Sequence, residues 1–299
     1  MFQHLSKGSV GLFAVCEVVP NKYAVVQHTR NVKGYLSLTQ HPDVTLRVGQ
    51  LIVAMVTQVG LGVNEKGKES KKLQLSIEPS ILYKTLQVSK VTPGMMLQAI
   101  VASKEEKGYF LNLGFKDDAK GFLKYDKETK AEVGDLLHVV VVSATSKLVK
   151  CSADLSQAVQ STGDVIVNEH TMRPGYLVNA KIAKIFENGV KVTYLSGNQG
   201  TIFVDHTAKA ALTQFKVGQK VQARCISHDT SSKNTCLSLL PHILSMESVQ
   251  LCALGTTFDK VKVQNILYGG SYHVGLPENQ IGFLHKSHLH EKDEESKID

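Results

Sequence analysis

Apolar and polar residues alternate or cluster along the chain in short segments of strand length. Residues 190–194 read Val-Lys-Val-Thr-Tyr, which is the alternation of a strand with one buried face. Residues 97–103 and 136–144 are instead continuous apolar, β-branched runs. Such runs are typical of strands that are covered on both faces. The pattern therefore predicts a protein built mainly from short β-strands.

Three sequence markers recur along the chain in the same order. A glycine opens each β-rich unit at Gly8, Gly94, Gly175 and Gly255, at intervals of roughly 80 to 86 residues. A second marker reads Val-Gly-Gln or Val-Gly-Asp around Gly49, Gly134 and Gly218, and an X-Ser pair closes the units at residues 75–76, 151–152 and 237–238. Self-similarity at a fixed period indicates tandem structural repeats.

Each complete unit contains five predicted strands, and the longest connection lies between the third and the fourth. In unit three the predicted strands are residues 177–186, 190–195, 200–204, 220–227 and 234–240. This pattern predicts an all-β fold of tandem five-stranded OB-fold barrels with short helical connections, one of them at residues 206–214. The predicted repeats are 7–80, 91–155, 172–242 and 253–290. The fourth has three strands before the chain turns polar, so we expect an incomplete barrel in a piece of a longer protein.

Composition limits the classes of function. The chain has 299 residues, of which 42% are hydrophobic and 20% charged, with a net charge of +7. This balance is globular and compatible with a polyanionic partner. The five cysteines are scattered without a Cys-x-x-Cys pair, which favours a reducing compartment. We find no secretion signal and no apolar run long enough for a bilayer, so we expect an intracellular protein without a membrane partner.

No catalytic motif is visible in the sequence. There is no phosphate-binding Walker loop, no Gly-x-Ser-x-Gly and no His-Glu-x-x-His. The histidines His285, His288 and His290 are close in sequence, but zinc would need all three to converge with a further ligand or water. We expect no enzyme activity, no metal or other cofactor and no small-molecule substrate.

The fourth unit carries the motif that relates the repeats to a known family. The string YGG begins at Tyr268, Tyr272 follows, and GFLHKS runs from Gly282 to Ser287. This combination resembles the RNA-binding repeat of bacterial ribosomal protein S-one, which is an OB-fold. Several such repeats in tandem, with degenerate first units, are similar to the N-terminal part of a family of eukaryotic ribosomal-RNA-processing factors. The resemblance implies RNA binding through aromatic side chains and a histidine on one face of the sheet.

The resemblance implies a different set of contact residues in each unit. The expected RNA-binding residues are Tyr268, Tyr272, Phe283 and His285 in unit four, Phe110, Lys107 and Lys124 in unit two, and Lys191 in unit three. The tyrosines could equally be rim residues, Phe110 could be a core side chain, and each lysine could be solvated. Unit one lacks the aromatic-glycine pair and has Ser37 in place of the histidine. Units one and three are therefore predicted to be spacers or protein-binding surfaces.

Three hypotheses for function follow from the resemblance. The first is a scaffold that binds precursor ribosomal RNA during small-subunit assembly in the nucleolus. The second is a scaffold that docks on other ribosome-assembly proteins and contacts RNA little. The third, an accessory region of an RNA-processing enzyme, has the least support because the chain supplies no catalytic domain.

Overall fold

The computed structural model describes twelve stretches of the chain. These are residues 5–28, 32–39, 44–63, 69–84, 86–126, 130–155, 173–207, 212–229, 234–246, 255–267, 271–276 and 281–288. The chain forms two compact units, Met1–Ser248 and Val249–Asp299. In the described residues the first unit forms three barrels and the second forms a small sheet.

Barrel one consists of five strands that close on themselves. They are β1 (Val10–Val19), β2 (Tyr23–His28), β3 (Val32–Ser37), β4 (Leu51–Val63) and β5 (Glu69–Ser76). The order around the barrel is β1-β2-β3-β5-β4, and β4 pairs back to β1. The β3–β5 pair is parallel and the others are antiparallel. The predicted fold class is thereby confirmed for the first repeat.

Barrels two and three repeat this topology. Barrel two is built from β6 (Met96–Glu105), β7 (Gly108–Asn112), β8 (Lys120–Lys124), β9 (Leu136–Ala144) and β10 (Leu148–Ser152). Barrel three is built from β11 (Leu177–Phe186), β12 (Gly189–Tyr194), β13 (Asn198–Phe203), β14 (Lys220–Asp229) and β15 (Asn234–Ser238). Both close by pairing the first strand with the fourth. Tandem five-stranded barrels are therefore the fold of the first unit.

The glycine markers occupy equivalent places in the three barrels. Gly49, Gly134 and Gly218 have φ angles of 86°, 93° and 89°, a conformation that favours glycine. Each donates its backbone N–H to the first strand of its own barrel, at Val15, Val101 and Ile182, over 2.8–2.9 Å. The repeat in sequence thus reflects a repeated turn that feeds the fourth strand into each barrel.

The described part of the second unit is a three-stranded antiparallel sheet. Its strands are β16 (Lys262–Leu267), β17 (Ser271–Gly275) and β18 (Ile281–Leu284), in that order. Val274 is 7% exposed and marks the apolar side of this sheet. A Cβ on Gly282 would lie 3.0 Å from Val274, so the glycine faces the same side.

Helical segments in the described residues are short. They are α1 (Pro79–Leu82), α2 (Pro241–Ser245) and 3-10 turns at Val88–Lys90, Leu195–Gly197, Val204–His206, Leu212–Gln214 and Lys286–His288. The helix predicted at residues 206–214 is represented by the 3-10 turns at its two ends, and residues 208–211 lie outside the described residues. No helix in the described stretches has the length and apolar character needed to cross a membrane.

The first and fourth strands of barrels one and two, and the fourth strand of barrel three, are buried on both faces over part of their length, whereas the first strand of barrel three alternates between buried and exposed residues. In β1, Phe13 points into barrel one, whereas Leu12 joins the core that barrels two and three share. At the end of β1, Val10 and Gly11 also pair with His228 and Ser227 of β14, so strand pairing continues from barrel one to barrel three. This explains the continuous apolar runs in the sequence, because the barrels pack on one another through these strands.

Polar side chains complete the contacts between barrels. Gln98 of β6 is 1% exposed, and its side-chain amide exchanges two hydrogen bonds with the backbone of Val53 in β4. Arg224 of β14 is also 1% exposed; it donates to the carbonyl oxygens of Gly175 and Leu244 beside its own barrel and, across to barrel two, to the Sδ atom of Met96 in β6 at 3.4 Å. Because buried polar groups need partners, these bonds fix one arrangement of the barrels.

Candidate nucleic-acid interface

The outer face of barrel two presents two phenylalanines side by side. Phe110 of β7 and Phe122 of β8 are directly opposite each other in the strand register. Their ring centroids are 5.5 Å apart with an interplanar angle of 63°. Both rings are half-buried, so each keeps an accessible surface. Aromatic faces on an OB barrel are suited to stacking on the bases of single-stranded nucleic acid.

The alternation of β8 explains why this ring faces outward. In the segment Lys-Gly-Phe-Leu-Lys, Gly121 and Leu123 are buried in the barrel, and Phe122 points to the opposite side. A Cβ on Gly121 would lie 2.9 Å from the Cβ of Leu111, so the barrel interior has no room for a larger residue there. The packing of the interior thereby fixes which face Phe122 occupies.

Lysines surround the aromatic pair on the same face. Lys120 and Lys124 flank Phe122 along β8, and both are exposed. The Nζ atom of Lys120 lies 5.8 Å from the ring centroid of Phe110. Lys150 of β10 is exposed and is the register partner of Phe122. Cations beside stacked rings can contact the phosphates that connect the bases.

The turn before β7 leaves room for the Phe122 ring. Gly108 lies opposite Lys124 in the register, and a Cβ added to it would meet the carbonyl oxygen of Leu123. The same Cβ would also be 2.9 Å from the Cζ atom of Phe122. Lys107 precedes this glycine in the turn and is exposed. The absence of a side chain at Gly108 thus leaves room for both the Leu123 carbonyl oxygen and the edge of the Phe122 ring.

A cysteine lies on the buried interior side of this sheet. Cys151 of β10 is buried behind the face, and burial raises the pKa of its thiol to about 12. The thiol is therefore protonated at neutral pH and is not a nucleophile. The outer face presents aromatic rings and lysines, which are suited to binding.

In barrel three the equivalent face lacks the aromatic pair. Lys191 of β12 lies opposite Thr201 of β13, which is the register position of Phe110 opposite Phe122. Both of these side chains are half-buried. Phe203 lies opposite Gly189, one row farther along the sheet. The structure thus places Lys191 at the aromatic position that the resemblance implies for unit three.

In the second unit the expected residues fall on different faces. Phe283 is 63% exposed, and its ring centroid lies 6.3 Å from that of the exposed His285. Tyr272 pairs with Leu284 and shares a strand face with the buried Val274, so it lies on the apolar side of the sheet. Tyr268 lies outside the described residues. Of the four expected residues, the structure therefore brings together Phe283 and His285, and it separates Tyr272 from them.

The described histidines do not form a metal site. The Nδ1 atom of His285 accepts a hydrogen bond from the hydroxyl of Ser287 at 2.8 Å. The rings of His285 and His288 are 6.5 Å apart, and His290 lies outside the described residues. In the described part of the chain no three His, Cys, Asp or Glu side chains gather in a way that could hold an ion.

The sequence predicts Phe110 and Lys124, which lie on this face, and Lys107 in the turn beside it, but it does not single out three further residues of the face. These are Phe122, Lys120 and Lys150. The signal that could have identified them is the alternation in residues 120–124, which places both lysines and the phenylalanine on one side of β8. The pairing of Phe110 with Phe122, by contrast, depends on the strand register, which the sequence does not state.

Comparison with known proteins gives a consistent group of relatives. The rRNA biogenesis protein RRP5 of Arabidopsis thaliana is 28% identical over 233 residues, which make up 73% of this chain and 12% of that protein. The RRP5 homolog of Mus musculus is 26% identical over 81% of this chain and 14% of its own length. The rRNA biogenesis protein rrp5 of Schizosaccharomyces pombe is 24% identical over 85% of this chain and 16% of its own length. The chain thus spans between 12% and 16% of these relatives.

Other comparisons add little. No family model matches the chain. A multidomain protein with nucleic acid binding domains from Streptococcus pneumoniae covers 78% of this chain at 16% identity, with a TM-score of 0.20. The uncharacterized protein MJ1198 of Methanocaldococcus jannaschii covers 23% of this chain at 14% identity, with a TM-score of 0.22. Superposition at this level carries no argument about function.

Proposed function

Taking the similarity to RRP5 as the premise, we propose that this chain is an RNA-binding segment of a ribosome-biogenesis protein and acts on precursor ribosomal RNA. The observation that supports the proposal is the outer face of barrel two, where Phe110 and Phe122 lie side by side among exposed lysines. We name this face the barrel-two platform; it comprises Phe110, Phe122, Lys120, Lys124 and Lys150. Other ribosome-assembly proteins are the further partners, and the nucleolus is the location that this function requires.

The chemistry of the platform fits a single strand better than a duplex. Stacking needs bases whose faces are free, and an RNA duplex hides those faces. The two rings offer stacking surface that tolerates any base, and the lysines offer contacts to the backbone. We therefore assign single-stranded segments of the RNA as the ligand, without base preference.

The test is the fluorescence anisotropy of a labelled single-stranded RNA titrated with the 299-residue chain. The Phe122→Ala variant should weaken binding by about 5- to 150-fold, the range that loss of one stacked base produces. The matched control is Val142→Ala, which removes a 48% exposed apolar side chain from β9 of the same barrel. The control should leave the affinity unchanged.

A salt series separates RNA binding from protein docking. Because lysine–phosphate contacts release counterions, the logarithm of the affinity should fall linearly with the logarithm of the salt concentration. Replacing Lys124 and Lys150 by Gln should make that slope shallower. An affinity near zero, or a slope that these lysines do not change, would remove the RNA assignment and favour the protein-docking scaffold.

The docking alternative has its own structural support. The turns that precede the fourth strands expose Val48, Val133 and Val217 to 49%, 56% and 66%. Exposed apolar side chains at equivalent positions in three barrels are suited to protein contact. Loss of a ribosome-assembly partner on substitution of these valines, together with unchanged RNA affinity, would identify them as docking residues.

A further inference from the structure

We propose that barrel one carries a second single-stranded RNA site on the outer face of β2, β3 and β5, in which Tyr35 and Tyr23 stack on bases. The proposal rests on the proposed function, since it assigns the same ligand to another face. Sequence reasoning predicted that unit one had lost its stacking residues, so this site is not among the expected ones.

The strand register gives Tyr35 the same position as Phe122. Tyr35 of β3 lies opposite Val25 of β2 and beside Gln74 of β5. In barrel two, Phe122 lies opposite Phe110 and beside Lys150. In both barrels the preceding residue on the third strand, Gly34 or Gly121, faces the interior, which sends the ring to the outer face. Position for position, barrel one therefore keeps one of the two platform rings.

The second ring of barrel one occupies a neighbouring row. Tyr23 pairs with Ser37, two residues from Tyr35 along β3, so the two tyrosines are diagonal neighbours on one face. In barrel two the residue that pairs at this place is Gly108. Barrel one has Val25 where barrel two has Phe110. Its second aromatic residue is Tyr23, two residues earlier on the same strand and on the same face.

Both tyrosines are accessible and are not needed by the core. Tyr23 is 40% exposed and Tyr35 is 38% exposed. The interior of barrel one is filled from the other side of these strands by Ala24, Val26, Leu36 and Leu73, all at most 1% exposed. By contrast, Tyr109, Tyr176 and Tyr194 of the other barrels are at most 5% exposed. Two exposed rings on a strand face that the barrel does not bury are available to a ligand.

The charges around the tyrosines favour a polyanion. The Nζ atom of Lys72 lies 5.8 Å from the centroid of the Tyr35 ring. Lys33 precedes Tyr35 by two residues on β3, and Lys22 lies in the turn before Tyr23; both are exposed. A carboxylate, that of Glu17, also lies near the face, at the residue paired with Val25. Cations beside exposed rings match the phosphates and bases of a single strand.

The packing of the barrels leaves this face uncovered. Barrels two and three contact barrel one through the outer faces of β1 and β4, where Leu12, Leu51 and Val53 enter the shared core, and barrel two also pairs with the segment before β4. The outer face of β2 and β3 lies on another side of the barrel. Its tyrosines are therefore exposed in the packed three-barrel unit and not only in an isolated barrel.

The experiment compares Tyr35→Leu, Tyr35→Phe and Thr201→Ala in the 299-residue chain. Thr201 is the matched control because it holds the same register position in barrel three without an aromatic ring. Tyr35→Leu should weaken binding of a long labelled single-stranded RNA by about 5- to 150-fold. Tyr35→Phe should retain the wild-type affinity, since it keeps the ring, and Thr201→Ala should have no effect. Ultraviolet cross-linking to the same RNA should yield adducts in the peptide that contains Tyr23 and Tyr35.

The outcomes distinguish this proposal from the function on which it rests. Suppose that Phe122→Ala loses RNA affinity, whereas Tyr35→Leu keeps the wild-type affinity and no cross-links form in barrel one. That result would overturn the second site and leave the barrel-two platform standing. Absence of RNA binding by the unmodified chain would overturn both. Unchanged RNA affinity in Tyr35→Leu, with lost binding to a ribosome-assembly protein, would assign the face to protein docking and overturn the RNA site.

Discussion

The side-chain amide of Gln98 links barrels one and two, because it makes with Val53 the pair of hydrogen bonds that the backbone of a neighbouring strand would make. Its Oε1 atom accepts a hydrogen bond from the Val53 N–H at 2.6 Å, and its Nε2 atom donates to the Val53 carbonyl oxygen at 2.8 Å. The residue is 1% exposed, so water cannot replace these bonds. The substitution Gln98→Leu keeps a side chain of similar size but leaves both backbone groups of Val53 without this partner.

The size of the effect follows from the two groups left unsatisfied. A buried donor or acceptor without a partner costs about 1–3 kcal/mol, so Gln98→Leu should lower the free energy of unfolding by about 2–6 kcal/mol. That is a large part of the roughly 5–15 kcal/mol by which a typical domain is stable. The nearly isosteric Gln98→Glu should also be destabilising, because a carboxylate cannot donate to the Val53 carbonyl oxygen.

Urea unfolding measures this loss as a lower midpoint of the transition. The control is Gln222→Leu, which alters an exposed glutamine within β14 and should change the stability by no more than about 0.5 kcal/mol. The amide does not hold the two barrels together if the free energy of unfolding of Gln98→Leu lies within about 0.5 kcal/mol of the wild-type value. The same conclusion follows if Gln98→Glu is as stable as the wild type. The reasoning about this contact would then be wrong.

Two further predictions concern another hydrogen bond between barrels one and two, and the barrel-two platform. His138 of β9 bonds the Leu51 carbonyl oxygen through Nε2 at 2.8 Å, and burial lowers its pKa from 6.5 to about 4. As the pH falls, the unfolded state therefore binds a proton before the folded state does. The free energy of unfolding should fall by at most about 3 kcal/mol between pH 6.5 and pH 4. In urea titrations at several pH values, His138→Gln should lack this pH-dependent component. Gly108→Ala should displace the β8 backbone at Leu123 together with the Phe122 ring and so lower RNA affinity in the anisotropy assay. Gly60→Ala, whose added Cβ would have its nearest neighbour at 3.7 Å, should not. A His138→Gln variant with the wild-type pH dependence, or a Gly108→Ala variant with the wild-type affinity, would contradict the respective argument.

Much of the fold could be predicted from the sequence because local signals repeat. The turn glycines Gly49, Gly134 and Gly218 need left-handed backbone in every barrel, so they stay visible as sequence markers. Alternation and apolar runs then locate the strands between the markers. The contacts between barrels could not be predicted. In a pattern of apolar and polar residues, Gln98 and Arg224 count as polar and would be assigned to the surface, although both are buried.

The candidate site was harder to predict than the fold. The family motif directs attention to second-strand aromatics such as Phe110, and it assigns Tyr272 to the contact face, whereas the register places Tyr272 on the apolar side of its sheet. Tyr35 is equally hidden from a motif, because its role depends on lying at the position that Phe122 holds in another barrel. Such equivalence is a property of strand pairing, which emerges only when the barrels close.

The strand pairing that continues from β1 into β14 and the bonds of Gln98 make the three barrels one block. If RNA binds to the barrel-two platform as proposed, the bound strand is held at a fixed separation from the tyrosines of barrel one. Its second contact becomes intramolecular, with an effective concentration that depends on the number of nucleotides between the two stacked segments. Short single strands would then occupy one of the two faces at a time. Avidity would appear only when the RNA between the two stacked segments is long enough to reach both faces.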